Sequence, residues 1–119
     1  MDERLTEALD FSSYMITLQN QKRILNEQYK ESLLYYYNKG QFSVTQTLIS
    51  FLQTLVNLNQ TEVVLIDDND IPVQIEDIKL FFVEVLNLYF TSTNTYLVEY
   101  NKVVSKRSVK DMLDLWVQA

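Results

Sequence analysis

The sequence predicts a mainly α-helical fold with one small β-hairpin, an α+β arrangement in which a long N-terminal helix belongs to a bundle of about four helices. Three observations carry this. One Gly and one Pro in 119 residues remove most of the turn chemistry that a many-stranded sheet needs. Apolar side chains recur at steps of three and four along two long stretches. A tetrapeptide of Asp and Asn between two β-rich runs marks a hairpin.

Residues 3–38 contain no Gly or Pro and place Leu5, Leu9, Ile16, Leu18, Leu25, Tyr29, Leu33 and Tyr36 on helical spacing. This predicts one helix over about 3–38, closed at Asn38-Lys39-Gly40, where Gly suits a left-handed cap and Lys39 suits the negative helix end. Such a rod is about 50 Å long at 1.5 Å per residue, against a breadth of about 35 Å for a compact domain of this size. Either it breaks near Ser12-Ser13 or Gln19-Asn20-Gln21, or part of its apolar stripe needs a partner.

A second helix is expected over about 44–58, opened by a capping box of Ser43 with Gln46 and carrying Leu48, Ile49, Leu52, Leu55 and Val56 on one face. Residues 63–75 read as the hairpin, with Asp67-Asp68-Asn69-Asp70 as its turn and Pro72 confining its strand to an edge or to partial pairing. Glu76 and Asp77 supply negative charge to the start of a third helix over about 77–105. One broad apolar face is expected there, running from Ile78 to Val104, with a kink at 91–95 where Thr and Ser compete for backbone hydrogen bonds. A capping box of Ser108 with Asp111 opens a short last helix over about 109–117, carrying Met112 and Trp116. Residues 1–119 are expected to make a single domain.

Composition narrows the chemistry. The chain has no His and no Cys, which removes the commonest general base and the strongest neutral-pH nucleophile. Its single Gly cannot build a phosphate-binding loop. No catalytic residue, cofactor or resident metal is assigned, and the chain is not expected to be an enzyme. No apolar run approaches a membrane span and the N-terminus is too acidic for a signal peptide, so a cytoplasmic protein without a membrane partner is expected. Sixteen acidic against ten basic residues give a net charge of −6, which opposes general binding to nucleic acid.

Three clusters remain as candidates. The carboxylates of residues 67–77 carry enough oxygen ligands for Ca²⁺ or Mg²⁺, but Asp and Asn are also what such turns prefer. The tyrosines Tyr35, Tyr36 and Tyr37, read as helical, point about 100° apart and form no common stacking surface. Lys102, Lys106, Arg107 and Lys110 form a basic face that suits a helix end or a phosphate. The leading expectation is a non-enzymatic interaction or accessory protein that self-associates, as a dimer in the first instance, through Leu18, Leu25, Tyr29, Leu33 and Tyr36 of the first helix. A further protein partner is compatible with it. One alternative is a nucleic-acid-binding regulator of transcription or replication using the basic face, and another is a divalent cation site at residues 67–77.

Two segments, residues 1–25 (MDERLTEALDFSSYMITLQNQKRIL) and 63–77 (VVLIDDNDIPVQIED), resemble small acidic proteins of unassigned function from T4-like marine phages. The two segments hold 40 of the 119 residues, and the resemblance rests on no catalytic motif. It implies expression in an infected bacterial cytoplasm and transfers no site residue.

Overall fold

A computed structural model describes residues 2–106. The elements in chain order are α1 (Glu3–Ser32), β1 (Leu34–Tyr37), β2 (Gly40–Ser43), α2 (Gln46–Asn57), β3 (Val63–Ile66), β4 (Pro72–Ile75) and α3 (Ile78–Ser105). The protein is mainly helical, with three helices among the described residues instead of four, and with two antiparallel strand pairs instead of one. The helix expected over 109–117 lies outside the described residues.

The long first helix is present and unbroken from Glu3 to Ser32, through Ser12-Ser13 and 19–21. It stops six residues short of the expected end, because residues 34–43 form a hairpin. β1 and β2 pair from Leu34 with Ser43 to Tyr37 with Gly40. Their two-residue turn has Asn38 at φ 45° and Lys39 at φ 68°, the mirror-image geometry that matches strand twist. Consecutive tyrosines lose side-chain freedom in a helix and gain packing on a pleated surface, which favours the strand. Alternation sorts them: the rings of Tyr35 and Tyr37 both meet Phe81, while Tyr36 is 66% exposed.

Gly40 is therefore no helix cap, and its φ is not positive. It is required by close approach, since a Cβ there would lie 2.6 Å from Val73 Cγ2 and 3.2 Å from the Tyr37 carbonyl oxygen. Lys39 takes the left-handed conformation without glycine's freedom. We predict that Lys39→Gly, which completes an Asn-Gly turn, raises stability by about 1 kcal/mol in urea unfolding; a loss of stability would contradict the turn.

α2 begins at Gln46, with Thr45 as its cap (φ −121°, ψ 163°). The Thr45 hydroxyl oxygen accepts the Leu48 amide at 3.1 Å, so Thr45 takes the role expected of Ser43, which lies in β2. The helix ends with Asn59 at φ 59°. The Asn59 and Gln60 amides donate to the Val56 and Leu55 carbonyls at 3.0 and 3.1 Å, the paired bonds of a left-handed helix stop.

β3 and β4 form the expected hairpin, with Val63 opposite Ile75 and Ile66 opposite Pro72. Pro72 sits at the first position of its strand, where a missing donor does least harm. Asp77 caps α3, its Oδ1 accepting the Leu80 amide at 3.2 Å. The expected weak point at 91–95 leaves α3 uninterrupted, with the Thr93 hydroxyl donating to the Tyr89 and Phe90 carbonyls at 2.8 and 3.1 Å. The side chain thereby shares acceptors within the helix and does not break it.

The chain divides into two compact units, Lys30–Thr93 and a second made of Met1–Tyr29 with Asn94–Ala119. The core of the first joins Phe42, Val44, Leu52, Leu65, Val73, Ile75, Ile78, Phe81 and Val85. Both hairpins, α2 and the N-terminal half of α3 thus cover one another's apolar faces, which a two-stranded ribbon requires. Phe81 lies at its centre, with Tyr35, Tyr37 and Phe42 at centroid distances of 5.3, 5.4 and 5.3 Å, all edge-on. In the second unit Leu25 and Val103 are buried. Tyr29 lies on Tyr96 at 4.5 Å, Tyr96 meets Tyr100 edge-on at 6.2 Å, and Lys22 Nζ stands 5.5 Å from the Tyr100 ring centroid. Asn26 Nδ2 donates to the Tyr96 hydroxyl at 3.3 Å, and the Tyr14 hydroxyl donates to the Lys106 carbonyl at 2.9 Å.

Candidate interaction surface

The acidic turn is the most chemical-looking feature of the sequence, and the structure gives its carboxylates defined work. Asp67 is buried. Its Oδ1 accepts the Asn69 and Ile71 amides at 2.9 and 2.8 Å, and its Oδ2 accepts the Gln41 amide at 3.0 Å. Asp68 takes the Ser43 amide at 3.1 Å on Oδ1, and the Ser43 hydroxyl and Gln41 Nε2 at 2.7 and 3.1 Å on Oδ2. The Asp68 amide returns a bond to the Gln41 carbonyl at 2.8 Å. The turn of one hairpin therefore latches the outer edge of the other. At the opposite turn, Asn38 Nδ2 donates to the Gln74 carbonyl at 3.2 Å.

Burial disfavours the charged form of Asp67, yet the amides of Gln41, Ile71 and Asn69 outweigh it and hold the carboxyl below its ordinary value. Asp68 behaves alike: burial and the Asp67 charge push it up, while Ser43 and Gln41 pull it below the ordinary range. With both values lowered on folding, the unfolded chain binds more protons in the acid range, so stability rises with pH there. We predict that thermal stability is level above about pH 5 and declines as pH falls through the ordinary carboxylate range near 4. Replacing both residues by Asn should flatten that acid limb; an unchanged limb would remove the latch as its cause.

Among the described residues no group of three or more carboxylates is placed to hold a metal ion. Asp67 and Asp68 spend their lone pairs on Gln41, Ser43, Asn69 and Ile71, and Asp77 spends its own on α3. The basic face is also divided. Lys102 pairs with Glu99 at 3.2 Å on the exposed surface, the Lys106 backbone takes the Tyr14 hydroxyl, and Arg107 and Lys110 lie outside the described residues.

Of the expected interface residues, Leu25 is buried within the chain, Tyr29 is stacked on Tyr96, and Leu33 packs against the core. Leu18 is half-buried, and Tyr36 points outward from β1. The stripe expected to await a partner is largely used at home. What remains outside is different: Leu5, Leu9, Phe11 and Ile16 on α1, and Leu80, Val83, Phe90, Leu97, Val98 and Val104 on α3, are exposed. Leu5, Leu9 and Ile16 fall within about 40° of one another at 100° per residue, on the side of α1 away from Leu18, Gln21 and Leu25. The single broad face expected for α3 is thus two faces: Ile78, Phe81, Val85 and Val103 turn inward, and Phe90, Leu97 and Val104 outward.

The chain matches no protein-family model, no curated protein and no solved structure.

No helix among the described residues is long and apolar enough to cross a membrane.

Proposed function

We propose that this protein works without catalysis, as an interaction or accessory protein whose active form is a self-associated one. The observation that supports this reading is that α1 and α3, having each covered one face within the chain, leave further large apolar side chains in water. Scattered exposed leucines need no explanation, but helical stripes of them mark interaction sites. The anchors are proposed among the exposed apolar side chains of α1 and α3, in place of Leu25, Tyr29 and Leu33. The phage resemblance of residues 1–25 and 63–77 fits a small accessory protein acting in an infected bacterial cytoplasm.

Light scattering coupled to size-exclusion chromatography tests the reading. A mass of about twice the 14.1 kDa chain, falling toward one chain on dilution, is expected. A single-chain mass at about 100 μM would overturn it.

A further inference from the structure

We infer that the solvent face of α3 is the seam of a parallel, in-register two-stranded coiled coil with a second copy of this chain, an inference that rests on the self-association proposed above and names its surface and partner. The outward residues of α3 repeat every seven positions. Val83, Phe90, Leu97 and Val104 make one column, and Leu80, Asn87, Asn94 and Asn101 make a second, three positions earlier in each repeat. These are the d and a positions of a heptad pattern, and a strict seven-residue repeat on an α-helix lags by about 20° per repeat, which winds two helices into a left-handed pair. Exposure agrees along the whole length: Leu80, Val83, Phe90, Leu97 and Val104 are 55, 49, 54, 58 and 39% exposed, and all three asparagines are exposed. α3 is one uninterrupted helix across these positions, and from Leu80 to Val104 the seam runs about 36 Å at 1.5 Å per residue.

The asparagines and the flanking charges identify the occupant. An amide in an apolar seam needs a partner that both donates and accepts, and the same amide of an identical helix in register supplies one. An antiparallel copy, or an unrelated apolar helix, would set Asn87, Asn94 and Asn101 against hydrocarbon and leave their polar atoms unsatisfied. The flanking positions agree with the parallel arrangement. There each g residue meets the e residue five positions on in the partner, so Lys79 of one copy faces Glu84 of the other, twice by symmetry. Glu84 also accepts the Tyr35 hydroxyl, and a carboxylate has lone pairs for both. The remaining flanking pairs, Leu86 with Thr91, Thr93 with Val98 and Tyr100 with Ser105, carry no charge and so no repulsion. Three buried asparagines lower affinity while setting register, which makes this a reversible dimer.

The absence of cysteine from the sequence gives a clean test by single-cysteine variants of the full chain. Under a glutathione redox buffer, Leu97→Cys and Val83→Cys should each link to themselves as disulfide dimers, because equal positions meet across a parallel seam, whereas Leu9→Cys on α1 should not. Leu97→Glu should reduce the mass to a single chain with helical circular dichroism unchanged. Asn94→Leu should tighten association by about tenfold. A wild-type chain that is monomeric at about 100 μM overturns both self-association and the seam. A wild-type dimer that links through Leu9→Cys and not through Leu97→Cys overturns the seam and leaves self-association standing. Linkage only in a mixture of Val83→Cys with Asn101→Cys, a d position with the a position it would face in a reversed copy, overturns the parallel direction. Were Leu97→Glu to lose its helical signal, the cysteine pairs alone decide.

Discussion

Phe81→Ala is expected to destabilise the protein by about 4 kcal/mol in equilibrium urea unfolding, a large share of the 5–15 kcal/mol that holds a typical domain together. Phe81 is 1% exposed, so truncation removes most of an aromatic side chain from water and leaves a cavity. It also removes the shared centre of three edge-on ring contacts, from Tyr35, Tyr37 and Phe42, each worth something beyond its buried area. Because two of those rings come from β1 and one from β2, the variant should loosen the first hairpin selectively. Amide exchange at residues 34–43 should accelerate more than at 63–75. Phe81→Leu keeps most of the volume and should lose roughly half as much. If Phe81→Ala lost less than about 1 kcal/mol, the aromatic cluster would not be the keystone of this core.

Gly40→Ala is the second large effect expected, a loss of about 3 kcal/mol, at the upper end of what overpacking produces. No forbidden dihedral is involved. The added methyl group would meet Val73 Cγ2 at 2.6 Å, the Tyr37 carbonyl oxygen at 3.2 Å and a Phe42 ring carbon at 3.3 Å. Val73 is buried in the core and cannot swing clear, while the Tyr37 carbonyl belongs to the ladder opposite Gly40. The double variant Gly40→Ala with Val73→Ala should recover part of the loss, because the first contact is then gone. A Gly40→Ala protein as stable as the parent would show that the two hairpins do not pack here.

The first hairpin is also where sequence and structure part company. Tyr29, Leu33 and Tyr36 continue the three-to-four-residue steps of the helix before them, so periodicity alone extends that helix to residue 38. The strand signal was present too, in three adjacent aromatics before Asn38-Lys39-Gly40, but local preference cannot rank two overlapping patterns. The decision comes from Phe81, more than forty residues along the chain, which takes Tyr35 and Tyr37 on one side and leaves Tyr36 out. A similar limit held for the acidic turn. Its Asp and Asn residues announce a turn, whereas their acceptors' use, by Gln41 and Ser43 of another hairpin, depends on a strand whose sequence reads as the connection and cap between two helices.

For α3 the outer heptad was written in plain sight, as Val83, Phe90, Leu97 and Val104 beside three asparagines. A helix apolar on two sides shows no single moment to read, so its faces merge into one until burial separates them. The sequence by itself determined the elements whose signals are local: a long N-terminal helix, α2, the β3–β4 hairpin with its Asp-rich turn, α3, and the residue types that rule out histidine and thiol chemistry. Only the tertiary structure decided which tyrosines enter the core, why residue 40 has no side chain, what the turn carboxylates hold, and which helix faces stay in water. Those depend on contacts between segments far apart in the chain, and the free energy of such contacts belongs to the pair and is absent from either segment alone.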